Sequence, residues 1–313
     1  MSNLVNDADL TSSLDCPVVE GKRQVQHVAP RTADVGGIPV NRVLPSRQRR
    51  LIGAWCFLDH AGPAVFKGGA SGLRVGPHPH IGLQTFTWMI EGEVLHRDSL
   101  GNEQVIRPGQ VNLMTAGRGI SHTEESVPGE THLHAAQLWI ALPEAQRCTD
   151  PRFDHYPQLP QWREEDFELT LLTGEFAGHR APTLAFSPLV GLDLRATTAR
   201  SLTLPLREDF EYGLLPLESE LAIEGERFSV NELAYLGRGR SQVDLELPEG
   251  GRAILVGGEP LGEEILIWWN FVGHSKAEII EAQRDWEVGS KRFGDIPEFQ
   301  GERLMPPPLP WRA

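Results

Sequence analysis

Cysteine is scarce. Cys16, Cys56 and Cys148 are the three in 313 residues, and no two stand in CxxC spacing. An odd, sparse set offers no disulfide framework and reads as reduced thiols. Long apolar runs are also missing, since none approaches the roughly 18 residues of a membrane span. Basic charge is in the minority, with 29 Lys and Arg against 43 Asp and Glu and a net charge of −14. Such a surface repels phosphate backbones, so no direct nucleic-acid contact and no membrane association are expected. The one basic run, Arg47-Gln48-Arg49-Arg50, reads as a solvated loop or interface. The N-terminal stretch MSNLVNDADLTSSLD is acidic and polar, with no signal or transit pattern, and the expected compartment is the cytoplasm. There is no nucleophile elbow and no phosphate loop, and Gly117-Arg118-Gly119 is too short for a nucleotide fingerprint.

Turn residues and short apolar runs are plentiful. Gly 32 and Pro 24 combine with 40% apolar residues and few helical periodicities, which favours an all-β protein. Leu51 to His60 reads as a buried strand ended at Ala61-Gly62-Pro63. Leu83 to Ile90, rich in β-branched and aromatic residues, is a second strand. Glu91-Gly92-Glu93 is expected to turn it, with Val94 to Ser99 returning as its hairpin partner. Short strands at this spacing fit a barrel or jelly roll. The rhythm stops over the Pro-rich stretch 151–168 and restarts at Leu169 with a similar layout, so two barrels are expected. The boundaries are an N-terminal arm at 1–20, a first barrel at 21–150, a connector at 151–168, a second barrel at 169–300 and a Pro-rich tail at 301–313. One helix is predicted after Gly273-His274. Ser275 and Glu278 form a capping box, Ile279, Ala282, Gln283 and Trp286 mark one face, and Gly289 terminates it. The tail Met305-Pro306-Pro307-Pro308-Leu309-Pro310-Trp311 reads as an extended strap held down by Leu309 and Trp311.

Chemistry concentrates in the first half, which holds all histidines but His179 and His274. In Gly76-Pro77-His78-Pro79-His80 and in Ile120-Ser121-His122-Thr123-Glu124, two ligand types are separated by one residue. Residues i and i+2 of a strand face the same way, so each pair can project together. A lone strand histidine is usually a core or surface residue, but two such pairs in Gly/Pro-marked strands point to a shared cation. Three imidazoles and a carboxylate suit one divalent first-row metal, Fe(II) above all, with Mn, Ni, Cu or Zn as alternatives. His96 and Asp98 share a strand face and are placed to orient a ligand or line the pocket. Gln84, Phe86, Trp88 and Met114 are further pocket candidates, and His132-Leu133-His134 reads as a pocket-edge or surface pair.

At these residues the chain resembles the pirin family of bicupins. The matching stretches are Gly76-Pro77-His78-Pro79-His80, Ile90-Glu91-Gly92, His96-Arg97-Asp98, Met114 to Glu124, and Gly257-Gly258-Glu259-Pro260-Leu261. The resemblance implies two tandem cupin (jelly-roll) barrels with one metal, usually iron, in the first, held by His78, His80, His122 and Glu124. Related cupins often carry a Glu four residues after the second His. Gln84 stands there, which leaves the acidic ligand to Glu124. The implied activity is that of a quercetin 2,3-dioxygenase, opening the ring of a flavonol or similar small aromatic with Glu124 as general base. The alternative is a redox-sensitive, metal-containing regulator that binds a protein partner, such as a transcription cofactor or a metabolic enzyme.

Overall fold

The computed structural model describes residues 18–19, 22–66 and 72–311. The expected arm at 1–20, with Cys16, falls outside the described residues apart from 18–19, as do 312–313 of the tail. Two β-sandwich barrels and one helix account for the rest. In the first barrel a seven-stranded sheet runs in the order Arg152–Tyr156, Val111–Thr115, Leu83–Glu91, His132–Ala141, Trp55–Val65, Ile38–Leu44, Arg31–Val35. It faces a four-stranded sheet ordered Glu103–Ile106, Val94–Asp98, Ile120–Ser126, Arg74–His80. The second barrel repeats the plan. Its larger sheet runs Gln161–Glu164, Phe167–Phe176, Leu189–Ala196, Arg252–Gly258, Glu211–Pro216, Leu233–Gly237, Gln26–Val28, and its smaller one is built on Arg200–Pro205 and Gln242–Leu247.

Two sequence expectations do not hold. Val94–Asp98 is not the hairpin partner of Leu83–Glu91. It pairs with Glu103–Ile106 and Ile120–Ser126, while Leu83–Glu91 pairs with Val111–Thr115 and His132–Ala141. The turn at Gly92 carries the chain between sheets, as a jelly roll requires. The strand from Trp55 does not stop at His60 but continues to Val65, and a register shift against Leu133–Ala135 absorbs Gly62. Of the two readings of the basic run, a solvated loop or an interface, Arg49 takes the second, lying against the second barrel. It is buried, stacks 3.6 Å over the Tyr235 ring and donates to Gln26 at 2.6 Å.

The barrels share elements, so the chain does not divide at the expected boundaries. Gln26–Val28 pairs with Leu233–Gly237 of the second barrel. The stretch 151–168 is not a bare connector, because Arg152–Tyr156 extends the first barrel and Gln161–Glu164 the second. After the second barrel the chain returns to the first: Val272 N–H donates to Ile81 O, and Leu304 N–H to Pro77 O. Helix α1 (Lys276–Glu287) lies on this return. Ser275 caps it by accepting from Glu278 N–H, and it buries Ile279, Ala282, Gln283 and Trp286. The tail crosses over it as a strap: Trp286 Nε1–H donates to Leu304 O, and Leu309 and Trp311 pack on the same cluster. No helix of the described residues is long and apolar enough to cross a membrane.

The two barrels are filled differently. The second is packed through with Phe167, Leu192, Tyr212, Phe228 and Leu255 among others. Between the barrels, Trp55, Phe86, Trp88 and Leu138 interleave with Leu172, Leu233 and Ile254. Trp88 Nε1–H reaches across to Asp193 at 3.0 Å, and Asp193 also pairs with Arg252. The first barrel keeps a hollow.

A buried histidine pair also lies between the barrels. His60 and His134 meet through Nε2 at 2.8 Å, and His60 Nδ1 contacts Asn231 of the second barrel at 2.6 Å. Burial lowers both, His134 to about 3, against an ordinary value of 6.5. The unfolded chain therefore binds more protons than the folded one between those values. Stability should be complete above pH 6.5 and fall as pH drops from there toward 3. The buried imidazoles of the first barrel's hollow push in the same direction. A series of melting curves should thus show Tm falling from about pH 7 to about pH 5, less steeply in His134→Gln. An unchanged slope in the variant would remove this pair as a cause.

Candidate metal centre

His78 and His80 come from Arg74–His80 and His122 from Ile120–Ser126, which run antiparallel with His122 opposite His78 and Ile120 opposite His80. Their candidate ligand nitrogens all lie within 4.8 Å of one another, and all three residues are buried. Local sequence explains the placement. The two-residue period turns His78 and His80 inward together. Glycines then let the chain make tight turns beside them. Gly82 sits at φ 66° and Gly117 at φ 49°, and a Cβ at either would fall about 2 Å from a carbonyl oxygen, of Val272 and Thr149 respectively.

The outer hydrogen bonds fix which nitrogen carries each proton. His78 Nδ1–H donates to Gly76 O at 2.9 Å, and His80 Nδ1–H to Asn270 O at 3.0 Å. His96 Nε2–H donates to Asp98 at 3.1 Å, so its Nδ1 is left to accept from His122 Nδ1–H at 3.3 Å. All three Nε2 atoms are therefore bare. Those of His80 and His122 stand 3.1 Å apart, and two lone pairs at that distance repel unless a cation lies between them. Burial holds His78 down to about 4, and His80 and His122 well below their ordinary value, so protons do not supply that cation near neutral pH. The donor set fits a divalent first-row metal.

Behind the ligands, Asp98 anchors the His96 relay. Burial opposes its charge, but hydrogen bonds from His96 and Asn102 outweigh it and hold the carboxyl low. Glu124 stands outside the close group of three. It lines the same cavity from the His122 strand, past a bulge that sets it opposite Val75. Burial pushes its carboxyl up to about 7.

The cavity encloses about 300 Å3. The expected pocket residues are placed differently from the ligands. Gln84, Phe86 and Trp88 turn to the other face of Leu83–Glu91. Phe86 and Trp88 pack between the barrels, and Gln84 Nε2–H donates to Thr115 and to Leu184 O. The residues that do line the cavity are their neighbours Thr85, Thr87 and Met89. Both faces of this strand are buried, so polarity could not tell the register. Met114 lies in an apolar cluster with Phe57 and Trp139, and His96 sits behind His122. His132 is exposed and His134 belongs to the inter-barrel pair. The sequence reading missed the wall from the returning chain: Ile267, Trp269, Asn270 and Leu304. Only the HPH motif hinted at it, through the need for an outer acceptor on each imidazole.

Two barrels of this plan, one hollow and histidine-lined and the other filled, define a bicupin. Family models agree: Pirin matches residues 37–140 and the Pirin C-terminal cupin domain residues 191–294. The chain belongs to the pirin family. A Pseudomonas aeruginosa protein provisionally named a quercetin 2,3-dioxygenase is 61% identical over 100% of this chain and 99% of its own. A pirin-like protein of Caulobacter vibrioides is 36% identical over 85% of this chain and 94% of its own. The crystal structure of a quercetin 2,3-dioxygenase from Acinetobacter baumannii superposes with a TM-score of 0.90 at 49% identity, covering 92% of this chain and 97% of that one.

Metal analysis of purified, reconstituted protein should find about one equivalent per chain, lost in His122→Ala. His96→Ala should keep the site but weaken it about 10- to 100-fold, the usual effect of removing an outer partner of a ligand. Full occupancy in His122→Ala would place the ion elsewhere.

Proposed function

We propose that the first barrel is the active centre of a metal-dependent dioxygenase that opens the ring of a flavonol or a similar hydroxylated aromatic. One observation carries the reading: three bare imidazole nitrogens and a carboxyl raised to about 7 share one cavity with a stacked aromatic wall. The likeness to relatives bearing the quercetin 2,3-dioxygenase name supports it. In this reading His78, His80, His122 and Glu124 hold the metal. When bound, Fe(II), or Mn, Ni, Cu or Zn in its place, supplies Lewis acidity toward a substrate hydroxyl and the electronic link to O2.

The chain's own residues supply the rest. Glu124, which lines the cavity beside the three imidazoles, takes the proton of the substrate hydroxyl at a carboxylate oxygen. Phe57 and Trp139, stacked at 4.0 Å, offer a flat wall beside His80, whose ring meets Trp139 edge-on at 5.2 Å. Ile267 and Trp269, with the exposed Leu304 at the rim, form the apolar cavity side contributed by the returning chain. In the overall reaction both atoms of O2 enter the product, two ring carbon–carbon bonds break and one carbon leaves as carbon monoxide.

Aerobic incubation of metal-loaded protein with quercetin should bleach the flavonol absorbance and release carbon monoxide in equal amounts. Glu124→Gln should slow this at least about 100-fold, the lower range for loss of a general base. His122→Ala should be flat. No turnover by the fully loaded natural chain would overturn the assignment.

A further inference from the structure

Cross-strand partners on the larger sheet of the first barrel sort the cavity wall into three rows. The first is Phe57, Trp139 and Thr85, in register across three strands. The second is Arg42, Asp59, Gln137 and Thr87. The third, Val40, Ala61, Ala135 and Met89, is apolar. All of these residues line the cavity. The first row touches the histidines through Trp139 and His80. The polar row lies two strand residues further on, about 7 Å away.

A polar row between an aromatic and an apolar one, with Asp59 and Thr87 buried and Arg42 and Gln137 half-buried, needs a reason, because each group left unpaired away from water costs free energy. Part of the reason is internal. Arg42 donates to both Asp59 oxygens, at 2.7 and 2.6 Å, and Thr87 Oγ1–H donates to Gln137 Oε1 at 2.8 Å. The remainder is not. The Gln137 amide donors have no protein partner among the described residues, and the Asp59 carboxylate keeps acceptor sites beyond the two that Arg42 uses.

We propose that this row is a second recognition element, reading hydroxyls on the end of an aromatic substrate remote from the histidines. Gln137 Nε2–H donates to a ring hydroxyl oxygen and Asp59 accepts from a ring O–H, while the Phe57–Trp139 stack takes the ring face. The preferred substrates are therefore planar aromatics with a chelating hydroxyl at one end and further hydroxyls at the other, over the row that lies about 7 Å along the strands from the Phe57–Trp139 stack. Thr87 is a positioning residue, since it holds the Gln137 amide. The inference rests on the flavonol reading above.

The test is equilibrium binding to the metal-loaded full chain without oxygen, comparing quercetin with 3-hydroxyflavone, which keeps the chelating hydroxyl and lacks the others. The natural chain should bind quercetin about tenfold more tightly or better, the effect of a hydrogen bond that would otherwise leave buried groups unpaired. Gln137→Leu should erase that preference while leaving 3-hydroxyflavone within about twofold, and Thr87→Val should reduce it in part. Equal weakening of both ligands, or none, would overturn the recognition role and leave the flavonol reading standing. If neither ligand binds the natural chain, the flavonol reading fails and this inference with it.

Discussion

Three imidazoles can share one buried centre only if each keeps its proton on the nitrogen facing away from it. Gly76 O, Asn270 O and His96 provide that condition, one acceptor per ring. Each acceptor comes from a different part of the chain. Gly76 is on the ligand's own strand, His96 is on a neighbouring one, and Asn270 arrives only when the chain returns from the second barrel. The centre is therefore finished by the last fifth of the molecule, and its polarity depends on the return being docked. The anchors of that return are themselves specific: Ser121 Oγ–H to Phe293 O, Leu304 N–H to Pro77 O, and a parallel bridge from Ile81 to Phe271.

The same strand plan gives one hollow barrel and one filled barrel because of what points inward. In the second barrel, leucines and aromatics from both sheets pack into one continuous cluster. In the first, the inward positions of the larger sheet include Thr85, Thr87, Ala61 and Ala135, which are too small to reach the opposite sheet. That sheet in turn carries imidazoles held back by their outer hydrogen bonds. Small residues set among the larger side chains of one wall, and tethered residues on the other, keep the space open.

What could be read from the sequence was local. His78, His80 and His122 came from a two-residue period flanked by glycines, and the helix came from its cap and the 3.6-residue spacing of Ile279, Ala282, Gln283 and Trp286. What failed was long-range. The partner of Leu83–Glu91 depended on which sheet the Gly92 turn entered, and nothing near Gly92 encodes that. Exchange between the barrels was likewise not legible, with Gln26–Val28 on one barrel and the strap on the other. Gln84, Phe86 and Trp88 stand one position from the cavity-lining Thr85, Thr87 and Met89, since both faces of the strand are buried and only the second barrel determines which face meets which core.

The second barrel thereby has a physical role in the site of the first. The strand carrying Thr85, Thr87 and Met89 into the cavity is held from behind by Phe86 and Trp88, and Trp88 is fixed by Asp193, which Arg252 neutralises. Asp193 is nearly fully buried, so its charge is tolerable only with both partners in place. The register of Leu83–Glu91, and with it the direction of Thr87 toward Gln137, is thereby set by contacts on the far side of the sheet. A one-residue slip would exchange the two faces and put Trp88 into the cavity. The packed barrel acts as a rigid backing that makes such a slip costly, so the direction of the cavity-lining side chains depends on packing behind the sheet as well as in front of it.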